Sequence, residues 1–349
     1  MTVTSLDALR GQPPSPALGT ATRGRAPEGR KFYYGDTTLI GVFDAGVADL
    51  DRSRPTPYGL APLWQATYGA LRGESGNYYM PVRFNHVSMT PRLHLPVTPL
   101  GGLSADAPEA LRSFYGYTTN DVVGDRWLLS SRGKPDRGFS LDVEPGKVAR
   151  WVENGILDLT MVQTGSAMQM YHPDPEHDWY YLATVCEISG HVLGDPVVGA
   201  GGWELAWSNG SLDWRELPVP RRCEDIWMIY VTHYADGGVE GAALYANAQG
   251  TGVGKLTTDG TSAALRGLRS EVDLDADRTP ARVRWSDGAR TWEWTAENPA
   301  SLTSPRNPSY IWMFGSCREL GSDREIVSSY GYAEVLPRVV GRDETEGPA

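Results

Sequence analysis

The sequence has 349 residues, more than a single hydrophobic core usually serves, so two domains are the first expectation. A formal net charge of −11 disfavours binding to the phosphate backbone of nucleic acids, and no run of about 18 apolar residues predicts a membrane-spanning helix. The 40 Gly and 25 Pro residues indicate many turns between short elements, which favours an all-β fold over a helical one.

The two ends of the chain differ in composition from its interior. Residues 1–30 are rich in Pro, Gly, Ala, Thr and Arg and have no hydrophobic periodicity, which predicts a disordered leader. Residues 341–349 predict a flexible tail for the same reason. The first ten residues lack the basic and apolar segments of a signal peptide, so we expect a cytoplasmic protein.

The interior predicts strands with few short helices. Residues 107–115 and 145–154 are the two candidates for helical turns. The apolar runs 226–234 and 239–247 are joined by Asp236-Gly237, and an Asp-Gly turn between such runs is typical of a β-hairpin. Short strands that follow one another through turns predict a sandwich or a barrel rather than a parallel sheet with crossover helices.

Motifs for several common chemistries are missing. The sequence has no GxxxxGK[ST] phosphate loop, no GxSxG nucleophile and no CxxC pair. His172 and His177 flank a segment with two prolines, which indicates a solvated loop better than a metal site. The glycine-rich segment 250–254 precedes another turn and not a helix, so it does not predict a dinucleotide site. We therefore expect no metal and no cofactor.

Tryptophan and glycine landmarks follow one another in a characteristic order. The segments that carry this order are ESGNYY at 74–79, GAGGWELAW at 199–207, LDW at 212–214, YIWMFG at 310–315 and GYAEVL at 331–336. In order and spacing they resemble the hydroxyneurosporene synthase (carotenoid 1,2-hydratase) and AttH-like family. The wider set of that family includes kievitone-hydratase-like proteins and Diels–Alderase-type cyclases.

The resemblance implies two consecutive lipocalin-like antiparallel β-barrels and cofactor-independent chemistry on apolar, often polyene, substrates. We place the first barrel at residues 31–209 and the second at residues 210–340. Where the family has an Asp-His pair, this chain has Glu204-Leu205, and the acid of the family's Trp-Glu-Gly strand is replaced by Met313. Olefin hydration needs an acid to protonate carbon and a base to activate water, so these departures weaken hydration and leave catalysis by enclosure intact.

Three functions follow from the resemblance. The first is a cofactor-free cyclase of the pericyclase (Diels–Alderase) type, which pre-folds a lipophilic polyene or polyketide intermediate of natural-product biosynthesis in an aromatic-lined pocket. The alternatives are a hydratase or isomerase of a terpenoid or carotenoid-like olefin and a non-catalytic carrier of a lipophilic metabolite. A hydratase predicts two acid–base groups within reach of each other, a pericyclase predicts an apolar pocket with one or two donors, and a carrier predicts neither. In all three cases the partner is a lipophilic small molecule, and the oligomeric state stays open.

Four residues are candidates for catalysis. Glu204, on a tryptophan-rich strand, is either an acid–base group or a structural carboxylate between the two barrels, and Glu334 on the closing strand has the same two interpretations. Tyr230 either donates to a substrate carbonyl or packs in the core. His233 is either a catalyst or a hydrogen-bonded wall residue. The candidate substrate-binding residues are mostly aromatic and are Tyr79, His86, Trp203, Trp207, Trp214, Trp227, Tyr234, Trp312 and Tyr332.

Overall fold

The computed structural model describes residues 33–34, 39–52, 59–86, 88–99, 105–133, 138–172, 178–208, 224–276, 278–297 and 311–341. This part of the chain forms two closed antiparallel β-barrels with very little helix, which confirms the predicted all-β tandem-barrel fold. Helical turns occur at Val47–Leu50 (α1) and, as 3-10 helices, at Pro108–Arg112 and Pro337–Val340. The expected boundary between residues 209 and 210, the leader and most of the tail lie outside the described residues and stay predictions.

The strands of the first barrel lie between residues 33 and 208. They are β1 (Tyr33–Tyr34), β2 (Leu39–Phe43), β3 (Pro62–Gly73), β4 (Asn77–Tyr79), β5 (Val82–His86), β6 (Met89–Thr90), β7 (Pro96–Pro99), β8 (Ala105–Asp106), β9 (Gly116–Val123), β10 (Arg126–Ser131), β11 (Phe139–Glu144), β12 (Val148–Glu153), β13 (Leu157–Gln163), β14 (Ala167–His172), β15 (Trp179–Ala183), β16 (Cys186–Val192) and β17 (Asp195–Ser208). Ten of them close a ring in the order β3-β5-β6-β9-β10-β11-β12-β13-β16-β17, and β17 pairs back onto β3.

The second barrel is a closed ring of eight strands taken in sequence order. They are β18 (Ile226–Tyr234), β19 (Val239–Ala246), β20 (Gly252–Thr258), β21 (Thr261–Leu274), β22 (Pro280–Ser286), β23 (Thr291–Ala296), β24 (Ile311–Glu319) and β25 (Ile326–Val335). The hairpin predicted around Asp236-Gly237 joins β18 to β19, with Gly237 at φ +85°, a backbone conformation that favours glycine.

One predicted helical segment is a strand. Residues 145–154 were expected to include a helical turn, but residues 148–153 form β12, which pairs with β11 and β13. Its side chains alternate between the interior and the surface, with Ala149 and Trp151 buried and Arg150 exposed. A six-residue segment with this alternation packs against two neighbouring strands, and that tertiary pairing outweighs its weak local preference for helix.

The glycines of the GAGGWELAW segment are required by the close approach of neighbouring strands. They lie on β17 where it is paired on one side with β3 and on the other with β16. A Cβ atom added at Gly199 would overlap the carbonyl oxygen of Ala70, and one added at Gly201 would overlap that of Tyr68. These backbones approach so closely that only glycine fits, which brings β3 and β17 together in the wall that faces the second barrel.

The two barrels pack through the outer faces of their strands, and we call this contact the seam. Because side chains alternate along a strand, β17 directs Trp203 and Leu205 into the first barrel and Ala206 into the seam. Strand β18 likewise directs Met228 into the second barrel and Ile229 into the seam. Hydrophobic side chains from both barrels form one continuous buried cluster at the seam.

Lys255 on β20 is buried beside the first barrel, with no exposed surface. Its Nζ donates a hydrogen bond to the carbonyl oxygen of Ser166, 2.5 Å away, just before β14. Burial lowers the pKa of this lysine to about 8, while the neighbouring Cys186 acts in the opposite direction. Below this pKa the fold therefore contains a buried ammonium group that the unfolded chain would expose to water.

Replacing Lys255 with methionine is expected to stabilise the protein at pH 7 by about 2 kcal/mol. This value is the free-energy penalty that corresponds to the lowered pKa, reduced by the contribution of the hydrogen bond that is lost. Since the unfolded chain keeps its proton up to a higher pH, wild-type stability should rise as the pH increases from about 8 towards the ordinary lysine pKa, whereas the variant should lack this rise. Urea unfolding between pH 7 and pH 10.5 measures both effects. The exposed Lys147 changed to methionine is the control, and equal pH dependence in all three proteins would contradict the prediction.

Within the residues that the structure describes, no helix is long and apolar enough to cross a membrane.

Candidate functional site

The interior of the first barrel is filled by a buried ion pair. The Arg83 guanidinium is fully buried and donates a 2.7 Å hydrogen bond from Nε to Oε1 of Glu153, with a second, parallel contact from its Nη2 atom. Trp151 Nε1 donates to the same carboxylate at 3.2 Å, and the Phe139 ring lies 4.9 Å from the guanidinium carbon. Burial raises the pKa of Glu153, although Arg83 and Trp151 act in the opposite direction. This network occupies the space that a ligand inside the barrel would need.

The interior of the second barrel is filled by aromatic side chains. Trp285 and Trp292 stack with their rings 4.0 Å apart and nearly parallel, at 3°. Glu240 accepts hydrogen bonds from Tyr230 Oη at 2.8 Å and from Trp292 Nε1 at 3.0 Å. Tyr230 is therefore fully buried and paired inside this barrel, away from the seam.

Aromatic rings connect the two barrels at the seam. Tyr68 on β3 meets Trp227 and Tyr332 of the second barrel edge-on, with ring centroids 5.5 and 5.8 Å apart. Tyr181 on β15 meets Tyr245 of the second barrel at 6.2 Å. Trp227 in turn lies 5.3 Å from Tyr332. The result is a continuous aromatic surface contributed by both barrels.

Glu204 lies on the first-barrel side of this surface. It is cross-strand from Ala66 on β3 and is 8% exposed, and it accepts a short hydrogen bond from Tyr181 Oη. Burial raises the pKa of Glu204 well above its ordinary value, and the negative charge of Glu224 adds to this. The carboxyl group is therefore protonated at a pH where an exposed glutamate is ionised.

Glu334 lies on the second-barrel side. Its strand β25 pairs it with Trp227 of β18 and with Trp312 of β24, so the carboxyl group has an indole on each side. The side chain is half-buried. Burial raises its pKa well above the ordinary value, the charges of Glu224 and Glu204 raise it further, and the Trp312 indole lowers it. Two carboxyl groups with raised pKa, one from each barrel, thus lie at the same aromatic seam.

The structure brings together five of the predicted residues and separates the others. The residues that meet at the seam are Glu204, Trp227, Trp312, Tyr332 and Glu334. The tryptophans 203 and 207 point into the first barrel, and the tyrosines 230 and 234 point into the second. Trp214 lies outside the described residues.

Three predicted residues lie away from the two carboxyl groups, with Tyr79 and His86 on the first barrel and His233 on β18 of the second. His233 is part-exposed, with its Nε2 3.5 Å from a carboxylate oxygen of Glu187. Tyr79 donates a 2.9 Å hydrogen bond to Asp195. His86 is exposed at the end of β5, and burial of part of its ring, followed by the positive charge of Arg52, lowers its pKa. None of the three makes a contact with Glu204 or Glu334 among the described residues.

The sequence analysis missed three residues of the seam. Tyr68 and Tyr181 lie beside Glu204, and Glu224 contributes its charge to both carboxyl groups. A signal for Tyr68 was present in the sequence, because the segment PLWQATYGALRG at 62–73 has apolar residues at both odd and even positions, and β3 is accordingly buried on both faces. A strand buried on both faces has a second packing partner outside its own barrel.

A separate cleft of about 490 Å³ opens on the second barrel, where β24 and β25 part. Arg72, Glu293, Glu297 and Arg318 line it together with several hydroxyl groups. Its lining includes four charged side chains and none of the predicted site residues, so we place the candidate site at the seam. No group of three or more histidine, cysteine, aspartate or glutamate side chains with metal-binding geometry occurs in the described parts of the chain.

Comparison with known proteins yields distant structural similarity only. No protein-family model and no curated protein matches the chain. The chain is similar to a candidate AttH protein from Nitrosomonas europaea, with 15% identity and a TM-score of 0.40 over 78% of this chain and 91% of that one. It is also similar to kievitone hydratase from Nectria haematococca, with 11% identity and a TM-score of 0.44 over 84% of this chain and 93% of that one. At these values the similarity concerns the course of the chain and assigns no activity to it.

Proposed function

We propose that this chain is a cofactor-independent hydratase or isomerase of a lipophilic olefin and that the reaction takes place at the seam. The observation that carries the proposal is the presence of Glu204 and Glu334, from facing barrels, in one aromatic enclosure with the pKa of both carboxyl groups raised. Two such groups supply the acid and the base that olefin chemistry requires.

The proposed hydration has three parts. A protonated carboxyl group transfers its proton to one olefinic carbon, which leaves positive charge on the other carbon. The aromatic faces of Trp227 and Tyr332 stabilise this charge. The ionised partner carboxylate removes a proton from water, whose oxygen bonds to the positive carbon, so that one water is added in total and the carboxyl groups have exchanged roles. Loss of a proton from a neighbouring carbon instead of water addition gives isomerisation.

A cyclase is the second candidate. The aromatic surface at the seam favours it, since enclosure of a flexible polyene needs apolar walls and few donors. A pericyclic reaction has no need of two carboxyl groups with raised pKa, and for this reason we rank it below the hydratase. A carrier is the weakest of the three candidates. Burying carboxyl groups costs free energy, and a surface that only binds a ligand does not need them.

Isotope incorporation tests the proposal. Wild-type protein is incubated in H2(18)O with a panel of acyclic terpenes, linear polyenes and aryl enones, and products are analysed by mass spectrometry. We expect one product to contain 18O, and Glu204→Gln and Glu334→Gln to abolish it, whereas the control Glu144→Gln on the outside of the first barrel keeps it. A cyclised product that forms equally in both seam variants would replace the hydratase with the cyclase, and unchanged substrates that remain tightly bound would favour the carrier.

A further inference from the structure

Tyr68 differs from other buried tyrosines of the two barrels. The hydroxyl groups of Tyr180, Tyr181 and Tyr230 donate hydrogen bonds to Gln169, Glu204 and Glu240, respectively. The Tyr68 hydroxyl is also buried, on a side chain that is only 3% exposed, yet it has no hydrogen-bond partner.

The Tyr68 hydroxyl lies on the same face of the first barrel as Glu204. A Cβ atom at Gly202, two residues before Glu204 on β17, would be 3.4 Å from the Tyr68 oxygen. The charges of both Glu204 and Glu334 act on this hydroxyl, and its ring contacts Trp227. The hydroxyl therefore lies at the seam, within electrostatic range of both carboxyl groups of the proposed acid–base pair.

A second donor beside it also lacks a partner. The indole Nε1 of Trp227 is buried at the seam and makes no hydrogen bond to the described residues. A buried donor without an acceptor destabilises the fold, because it has lost its hydrogen bonds to water. These two neutral donors are on rings whose centroids lie 5.5 Å apart, and neither has an acceptor among the described residues, so an oxygen atom of a ligand would satisfy them, with ordered water in that place when the ligand is absent.

We propose that Tyr68 is a catalytic residue that donates a hydrogen bond to a carbonyl oxygen of the substrate, and that the seam takes a lipophilic enone rather than a pure hydrocarbon. The inference rests on the proposed function for the site and names its substrate class. A hydrocarbon would leave both donors unpaired, and a site with buried polar groups rejects analogues that cannot pair with them.

The hydrogen bond from Tyr68 also has a chemical role. In an enone it withdraws electrons from the conjugated double bond, so the order of the steps in the proposed hydration is reversed. Water adds to the β-carbon first, no positive charge forms on carbon, and the negative charge develops on the carbonyl oxygen. One carboxylate removes the proton from water, the other carboxyl group delivers a proton to the α-carbon, and the product is a β-hydroxy ketone. Tyr68 stabilises the enolate oxygen formed between these two proton transfers.

Binding of a matched pair of probes tests this inference without turnover. trans-Stilbene and trans-chalcone are diaryl olefins of similar shape, and only chalcone has a carbonyl oxygen. Their binding is measured by quenching of tryptophan fluorescence in the Glu204→Gln background, where hydration is expected to be absent. We expect chalcone to bind about 10-fold more tightly than stilbene and its absorption band to shift to longer wavelength on binding.

The variant Tyr68→Phe removes only the hydroxyl group. It should reduce the chalcone-to-stilbene affinity ratio to about 1 and abolish the spectral shift while leaving stilbene affinity unchanged. The control is Tyr180→Phe, which removes a paired hydroxyl inside the first barrel. Equal affinities for the two probes in the parent protein, equal weakening of both by Tyr68→Phe, or no binding of chalcone would each overturn the inference. If the wild-type protein incorporates no 18O into any product while chalcone still binds more tightly than stilbene, the hydratase proposal alone is refuted.

Discussion

Replacing Arg83 with methionine is expected to lower the free energy of unfolding by about 3–5 kcal/mol, the usual cost of removing one partner from a buried ion pair. Arg83 and Glu153 are both almost completely buried, and the variant leaves the carboxylate inside the first barrel without its counter-ion. Urea unfolding followed by tryptophan fluorescence measures the loss. The exposed pair formed by Arg150 and Asp158 supplies the control, because solvent screens this pair and Arg150→Met should leave the stability almost unchanged.

Two further measurements identify the cause of the expected loss. Burial already raises the pKa of Glu153, and removal of Arg83 should raise it more, so the variant should lose least stability in acid, where the carboxyl group is protonated, and most above the ordinary glutamate pKa. The double variant Arg83→Met, Glu153→Leu should recover much of the loss. If Arg83→Met were no more destabilising than Arg150→Met, the ion pair would not support the barrel interior.

The second large effect concerns turnover at the seam. We expect hydration to show a bell-shaped pH dependence, because the active form has one proton on the Glu204–Glu334 pair. In acid both groups are protonated and the base is lost, whereas in alkali both are ionised and the acid is lost. Burial, with the charge of Glu224, raises the pKa of both carboxyl groups, so both limbs should lie above the ordinary glutamate pKa.

Replacing either carboxyl group should leave a pH profile with a single limb. Glu204→Gln and Glu334→Gln should each reduce kcat/KM by about 10²–10⁴-fold, the usual contribution of a general acid or base. Glu204→Gln also removes one of the charges that raise the pKa of Glu334, so the remaining limb should move to lower pH. Glu144→Gln should keep both limbs. A rate that does not change with pH in the wild-type protein would contradict acid–base catalysis.

The fold was largely predictable from the sequence, and the reason lies in local signals. The Asp236-Gly237 turn between two apolar runs specifies the β18–β19 hairpin without reference to distant residues. The helical expectation for residues 145–154 was wrong, because β12 is selected by its pairing with two strands and by the alternate burial of its side chains. This pairing exists only in the assembled sheet, so the local sequence of residues 145–154 does not reveal it.

The site was predictable only in part. Glu204 was predicted as a residue of a tryptophan-rich strand, but strand alternation turns the indoles of Trp203 and Trp207 into the barrel and leaves Glu204 on the opposite face. Its actual neighbour Tyr181 is distant in sequence and meets it through the pairing of β15 with β17. Residues that come together from two barrels have no common sequence pattern, which is why Tyr68 was missed.

The alternation of side chains also places residues with two different roles on a single strand. On β17 the odd-numbered Trp203 and Leu205 hold the first barrel together, while the even-numbered Glu204 and Ala206 face the other barrel. A substitution at an even position can therefore alter what the seam accepts without disturbing the barrel interior. If the seam is the site of reaction, as we propose, such a scaffold can acquire new substrates one residue at a time while its two barrels remain intact.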